Sequence, residues 1–205
     1  MAPPWPPAAP ARASWAEFVA RIPYPEPGEL QAATQEALAK IRGINVFRMM
    51  AWAEGLAPPM FDFVKEVFAS LELDARSRQL AIVCVGHLCR SAYELHQHEK
   101  IARRVGLTAA DLECAAGRAP IASMPPRDQA VLRFATEMTR DIRVSDATFA
   151  EARALFSPRE LTELAIVTSF YSCICRFLET MQIEIEPPKS PPAASSKADG
   201  TPSNR

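Results

Sequence analysis

The sequence predicts an all-α fold, and three observations carry that expectation. Its 205 residues hold only 7 glycines, and no Asn-Gly or Asp-Gly hairpin turn falls between residues 28 and 186. Apolar residues recur at three- and four-residue spacing from Gly28 to Met181, the period of a helix with one face buried. Helix start signals also precede most of the periodic stretches. A hydrophobic content of 48% is ordinary for one folded domain of this length.

Taken in order, Gly28 to Arg42 is rich in Ala and Gln, with Leu30, Leu38 and Ile41 on one side. Val46 to Ala53 is a second segment, stopped by Gly55 and Pro58. Pro59 to Leu71 puts Phe61, Val64, Val67 and Phe68 on a core face. Asp74 caps a segment running to Leu88, Ser91 starts another that ends at Gly106, and Thr108 to Ala116 follows. Pro126 to Ile142, Ser145 to Phe156 and Pro158 to Met181 complete the series. The last opens Ser157-Pro158-Arg159-Glu160, with Ser and Glu at capping-box spacing and Pro at the first helical position. Leu80-Ala81-Ile82-Val83 recurs as Leu164-Ala165-Ile166-Val167, 84 residues on, which raises an internal two-fold repeat of helical hairpins.

Prolines set the domain limits. Of 19, eight lie in residues 1–27 and five in 187–202. The expected organisation is a largely disordered N-terminal arm over 1–27, with one short helix after Ser14, a single helical domain over 28–186, and a disordered Pro/Ser-rich tail over 187–205. The apolar runs Leu80–Cys89 and Leu164–Cys175 fall short of the roughly 18–20 residues that span a bilayer, so no membrane segment is expected. No basic and apolar leader follows Met1. Five cysteines, an odd number within apolar helical patterns, read as reduced thiols of a cytoplasmic protein. A net charge of −1 gives no electrostatic case for nucleic acid, and Arg76/Arg78 and Lys100/Arg103/Arg104 read as solvated helix faces.

The chemistry concentrates between Leu80 and His98. On one continuous helix at about 100° per residue, His87, Ser91, Glu94 and His98 share a stripe about 40° wide with Leu80, Val83, Ile101 and Val105. His96 points the other way. Ser91-Ala92-Tyr93-Glu94 is also a capping box, in which Glu94 merely closes a helix start. A break at Cys89–Ser91 still leaves Glu94 and His98 adjacent at i, i+4, while His87 approaches only through the turn.

Arg78-Gln79-Leu80-Ala81-Ile82 followed by Tyr93-Glu94-Leu95-His96-Gln97-His98 resembles the signature of the carboxymuconolactone decarboxylase / alkylhydroperoxidase D-like family. Phe47-Arg48-Met49 and Asp128 to Ile142 fit its surroundings, so the resemblance covers residues 45–185. It implies a compact all-α bundle that assembles as a homo-oligomer, a trimer or hexamer, with its site on the motif helices. The hydroperoxidase branch carries Glu, Cys-x-x-Cys and a His four residues on, and those positions here are Gln79, Ser91, Glu94 and His98. Both thiols are missing, and a dithiol peroxidase needs them. Glu94 and His98 instead match the decarboxylase-like branch, although Leu95 stands where Trp is usual and Gln79 where Glu is usual.

The expected function is therefore cofactor-free acid–base chemistry on a small carboxylate or lactone. His98 and Glu94 are the first catalytic candidates, and Tyr93 and His87 the second. A neutral imidazole near pH 7 suits proton transfer, and His98 is the expected donor to carbon after CO2 leaves. Arg48 and Arg90 are candidates to hold the substrate carboxylate and Trp52 to contact the substrate, while Met49, Met50, Trp52, Met60 and Phe61 read as core or, in a non-catalytic binding protein, as the lining of a ligand pocket. No metal and no cofactor are expected, although His87, Glu94 and His98 are acceptable zinc-ligand types. The alternatives are hydroperoxide reduction through a cysteine outside the motif, Cys89 or the Cys173/Cys175 pair, and a non-catalytic oligomeric binding protein.

Overall fold

The computed structural model describes residues 20–187. Among them are nine α-helices and no strand: α1 (Ala32–Ala39), α2 (Asn45–Met50), α3 (Ala57–Ala69), α4 (Ala75–Cys89), α5 (Ala92–Arg104), α6 (Ala109–Ala115), α7 (Pro126–Asp141), α8 (Asp146–Leu155) and α9 (Pro158–Met181). The helical bundle predicted from spacing is the fold observed.

Helix α4 is the axis, packing against α5, α7 and α9. Residues 77–86 are all buried, as expected of a helix apolar on every side. One core cluster joins α4 to α6, α7 and α8 through Leu80, Val83, Val131, Leu132 and Phe134. A second joins α2, α3 and the end of α9 through Met49, Phe61, Tyr93 and Leu178. A third fills the seam between α4 and α9 with Ile82, Val85, Val167, Tyr171 and Cys175.

The caps explain where the helices begin. Asp74 accepts from Ser77 N at 2.8 Å, Thr108 and Asp111 cap reciprocally, and Ser157 and Glu160 form the predicted box at 3.1 and 2.8 Å. The first segment is shorter than its composition suggested. Pro27–Glu29 forms a 3-10 turn, Leu30 is extended, and Gln35 Nε2 donates to Leu30 O at 2.7 Å, so the helix proper starts at Ala32.

The expected short helix after Ser14 lies outside the described residues. Residues 20–27, placed in the N-terminal arm, lie against the body. Arg21 N donates to Met181 O at 3.0 Å, Tyr24 Oη to Glu184 Oε2 at 2.9 Å, and Trp52 Nε1 to Pro23 O at 2.8 Å. The end of the described chain is gripped at Glu186, which accepts from Asn45 N, Tyr93 Oη and Gln97 Nε2.

Two expectations change. Helix α9 is long and apolar enough to cross a membrane by length and composition, because Thr and Ser join its apolar runs; more than half of that stretch is buried in the body. The internal repeat is not established. Ile82 is wholly buried whereas Ile166, its counterpart, is 46% exposed, and Cys89 ends a helix where Cys173 sits within one.

The α4–α5 corner decides the site. Arg90 is left-handed (φ 56°, ψ 35°), Ser91 N donates to Gly86 O at 2.9 Å and Arg90 N to His87 O at 3.1 Å, the paired bonds of a Schellman ending. The helix breaks where the sequence allowed it. A Cβ on Gly86 would stand 2.9 Å from Leu95 Cδ2, so glycine lets α5 fold back closely. Since a left-handed conformation strains a residue with a Cβ, Arg90→Gly should stabilise the protein by about 0.5–1 kcal/mol, read as a higher urea midpoint. An unchanged or lower midpoint contradicts that account of the corner.

Candidate active site

Folding α5 back along α4 places Glu94 and His98 on its inner face, 4% and 7% exposed. His98 Nδ1 stands 2.9 Å from Gln79 Oε1, across from α4. An amide oxygen only accepts, so Nδ1 carries the ring proton and Nε2 presents its lone pair. Glu94 Oε1 lies 3.1 Å from that Nε2 and receives no hydrogen bond among the described residues. The ring rests edge-on against Tyr171, centroids 5.0 Å apart, with Phe68 on another side at 6.1 Å.

Glu94 and His98 open into a cavity of about 310 Å³ walled mainly by α2, α3, α5 and α9. Phe47, Met50, Val64, Phe68, Phe170 and Ile174 make it largely apolar. Its cations are Lys65, which is paired with Asp62, and Arg42, for which no carboxylate partner is seen among the described residues. Arg78 lies behind the imidazole, 8% exposed, with its guanidinium 5.0 Å over the Phe68 ring.

Buried polar atoms without a partner cost about 1–3 kcal/mol each, so they are sparse in folded proteins. Six side-chain atoms of this kind occur among the described residues, and five belong to the α4–α5 pair that builds this site: Arg78 Nε, Gln79 Nε2, Ser91 Oγ, Glu94 Oε1 and, away from the cavity, His87 Nε2. Ser91 makes no side-chain cap, so the capping-box reading of Ser91 and Glu94 is not what folds. The acid is left unbonded inside the protein.

Electrostatics push both groups toward neutrality. Burial raises the Glu94 carboxyl to about 8, with the Cys89 thiol adding to it. Burial lowers His98 to about 3, assisted by the positive charges of Arg78 and Arg42. The resting pair is an un-ionised acid beside an un-ionised base.

The other candidates fall elsewhere. His87 is half-buried toward α6, with Nε2 3.9 Å from Glu99, away from the cavity. The helix break carries it there, so the stripe drawn through it is corrected, and so is the zinc set built on it. Among the described residues no group of three or more His, Cys, Asp or Glu is placed to hold a metal. Tyr93 lines the cavity, yet its hydroxyl donates to Glu186 Oε1 at 2.5 Å and accepts from Val46 N at 3.2 Å. Arg48 lies 4.4 Å over Tyr24 and bonds Asn45 Oδ1 at 3.1 Å, so with Trp52 it clamps residues 23–24 and stays out of the lining of this cavity. Arg90 forms the corner. Of the predicted wall, Met50 lines the cavity, while Met49 and Phe61 are core. Arg78 is buried, not a solvated face, because α4 is covered on all sides. Sequence reasoning missed Arg42, Tyr171 and the positioning role of Gln79. The adjacency of Arg78-Gln79 inside an apolar run is the one signal that pointed there.

Residues 55–137 match the model of the carboxymuconolactone decarboxylase family. No curated protein matches by sequence. A peroxidase-related protein from Ralstonia eutropha, an alkylhydroperoxidase AhpD core, superimposes with a TM-score of 0.71 at 21% identity, covering 83% of this chain and 94% of that one. A peroxidase-related protein from Silicibacter sp. gives 0.66 at 20% identity, with 82% and 92% covered. An AhpD-type protein from Agrobacterium tumefaciens gives 0.57 at 18%, with 62% and 90% covered. The segment from α3 into α7 carries the family match, and the bundle around it has the AhpD-like fold.

The two shifts make a pH signature. Folded Glu94 keeps its proton to about 8 while an unfolded carboxyl loses it near 4.5, so stability falls as pH rises through that window. Folded His98 refuses a proton that the unfolded ring binds below 6.5, so stability falls as pH drops from there toward about 3. The opposed slopes offset between 4.5 and 6.5, leaving a decline from 6.5 to 8 that comes from Glu94 and is opposed above about 7 by the depressed Cys89 thiol. In Glu94→Gln that decline should vanish, measured by urea unfolding at the two pH values. Equal losses in both proteins would refute the assignment.

Proposed function

We propose that this protein is a cofactor-free acid–base catalyst for a small, mostly apolar carboxylate or lactone, acting by decarboxylation or a related proton transfer. The observation that carries this reading is the un-ionised Glu94–His98 pair, its acid oxygen unbonded, facing an apolar cavity. Nothing of that kind is needed to hold the fold.

Arg42 takes the carboxylate of the guest, and the aromatic wall takes its body. Loss of CO2 requires the bond's electron pair to enter a neighbouring carbonyl or lactone, which generates an enolate. The proton for carbon comes from Glu94, which burial keeps protonated near neutral pH. That reverses the role expected from sequence, since His98, held neutral with its Nδ1 proton spent on Gln79, has none to give. His98 Nε2 is the base of the pair and the route by which solvent protons return to Glu94. In the same reading the chain assembles with copies of itself, as the resemblance implies.

The match to hydroperoxidases is weaker at the site than in the fold, because Ser91 and Glu94 occupy the two thiol positions. A panel of small lactone and keto carboxylates, assayed by CO2 release, tests the proposal. His98→Ala and Glu94→Gln should abolish turnover with helical circular dichroism unchanged. Arg42→Gln should raise KM by about 10–100-fold, the worth of one charge-assisted contact. Turnover that survives His98→Ala dismisses the mechanism.

A further inference from the structure

Loss of CO2 puts negative charge on a carbonyl oxygen of the guest, and in a largely apolar cavity that oxygen needs a hydrogen-bond donor. Most polar groups of the cavity are committed elsewhere. Lys65 is paired with Asp62 at 2.7 Å, Gln97 Nε2 donates to Glu186 at 2.7 Å, and the Tyr93 hydroxyl donates to the same carboxylate. Glu94 and His98 handle the proton, and Arg42 takes the carboxylate. Tyr171 remains. It lines the cavity from α9, and its hydroxyl has no hydrogen-bond partner among the described residues.

We propose that Tyr171 is a catalytic residue of this site, its hydroxyl donating to the enolate oxygen that forms as CO2 leaves. This deepens the acid–base function and rests on it. The bond between the carboxylate carbon and its neighbour breaks, and its electron pair moves through that neighbour onto the carbonyl oxygen. The Tyr171 hydroxyl holds the charge there by a hydrogen bond and keeps its own proton. The pair returns to carbon as Glu94 delivers a proton, the carbonyl re-forms, and solvent restores the Glu94 proton through His98. One carboxylate and one proton become CO2 and a ketone or lactone. The substrate class narrows accordingly to acids whose carbonyl is separated from the carboxylate by one carbon.

The packing suits that role. The Tyr171 ring is fixed on two sides, edge-on to His98 at 5.0 Å and to Phe170 at 5.4 Å between centroids, and the residue is 4% exposed. A donor held in place before the charge develops needs no reorganisation when it does. Burial, with the Glu94 charge once it forms, holds the phenol well above its ordinary range against the opposing charge of Arg78. It therefore keeps its proton and stays a donor at neutral pH. Behind the imidazole, the Arg78 guanidinium lies over Phe68 with its Nε unpartnered and no carboxylate paired to it among the described residues. Uncompensated positive charge next to the site favours an anion within it.

The test compares the full chain with Tyr171→Phe, which retains both ring contacts and whose fold circular dichroism checks. With acids that turn over, the variant should lower kcat by about 100–1,000-fold, the worth of one oxyanion donor, while KM stays nearly constant. A second readout needs no turnover. 4-Nitrophenol reports its own ionisation by absorbance, and its phenolate offers the same kind of oxyanion. On the wild-type protein it should ionise at lower pH than in free solution, and Tyr171→Phe should bind the phenolate about ten-fold more weakly. An unchanged kcat in the variant overturns the role of Tyr171 and leaves the acid–base reading standing. No phenolate shift in wild type, or an equal shift in the variant, also overturns it. Absent turnover with the Tyr171-dependent shift present supports the oxyanion site and overturns the acid–base reading instead.

Discussion

The close return of α5 onto α4 is the constraint on which the rest depends. It needs Gly86 without a side chain, Arg90 in the left-handed region, and the Ser91 amide on the Gly86 carbonyl. Once the corner is made, the i, i+4 pair of α5 faces the second residue of Arg78-Gln79, and His98 finds Gln79 at 2.9 Å. Without it, Glu94 would sit on a solvated helix face as an ordinary carboxylate. The geometry of the site is thus a by-product of one turn.

Burial then does the chemistry. Neither Glu94 nor His98 is shifted by forming an ion pair; each is shifted because water is excluded, and Arg78 and Arg42 add to the penalty on the imidazolium. Gln79 matters for the same reason. A carboxylate at that position would accept from Nδ1 with a full negative charge and favour the protonated ring, whereas an amide fixes the tautomer without doing so. The amide of Gln79, in place of a carboxylate, therefore has a direct electrostatic consequence.

Much of the architecture was legible because it rests on local rules. Asp74, Thr108 and Ser157 start helices as capping chemistry dictates, and the nine helices of the described residues lie close to where apolar periodicity placed them. The pairing of Glu94 with His98 was legible too, since i, i+4 spacing survives whether or not the preceding helix breaks. The members contributed across the fold were not. Arg42 comes from the loop after α1 and Tyr171 from α9. No sequence period reports which helices pack together. Arg48 and Trp52 show the converse error: residue types suited to binding a guest were spent on fastening the chain's own N-terminal segment.

Arg42 gives the empty and filled states different reactivity. Its charge stands at the cavity and depresses the proton affinity of His98. In the proposed function, an anionic guest seated on the guanidinium would cancel that field locally, so the imidazole would gain basicity when a reactant is aboard and lose it on departure. The reactant itself would then supply the sharpening of its own base.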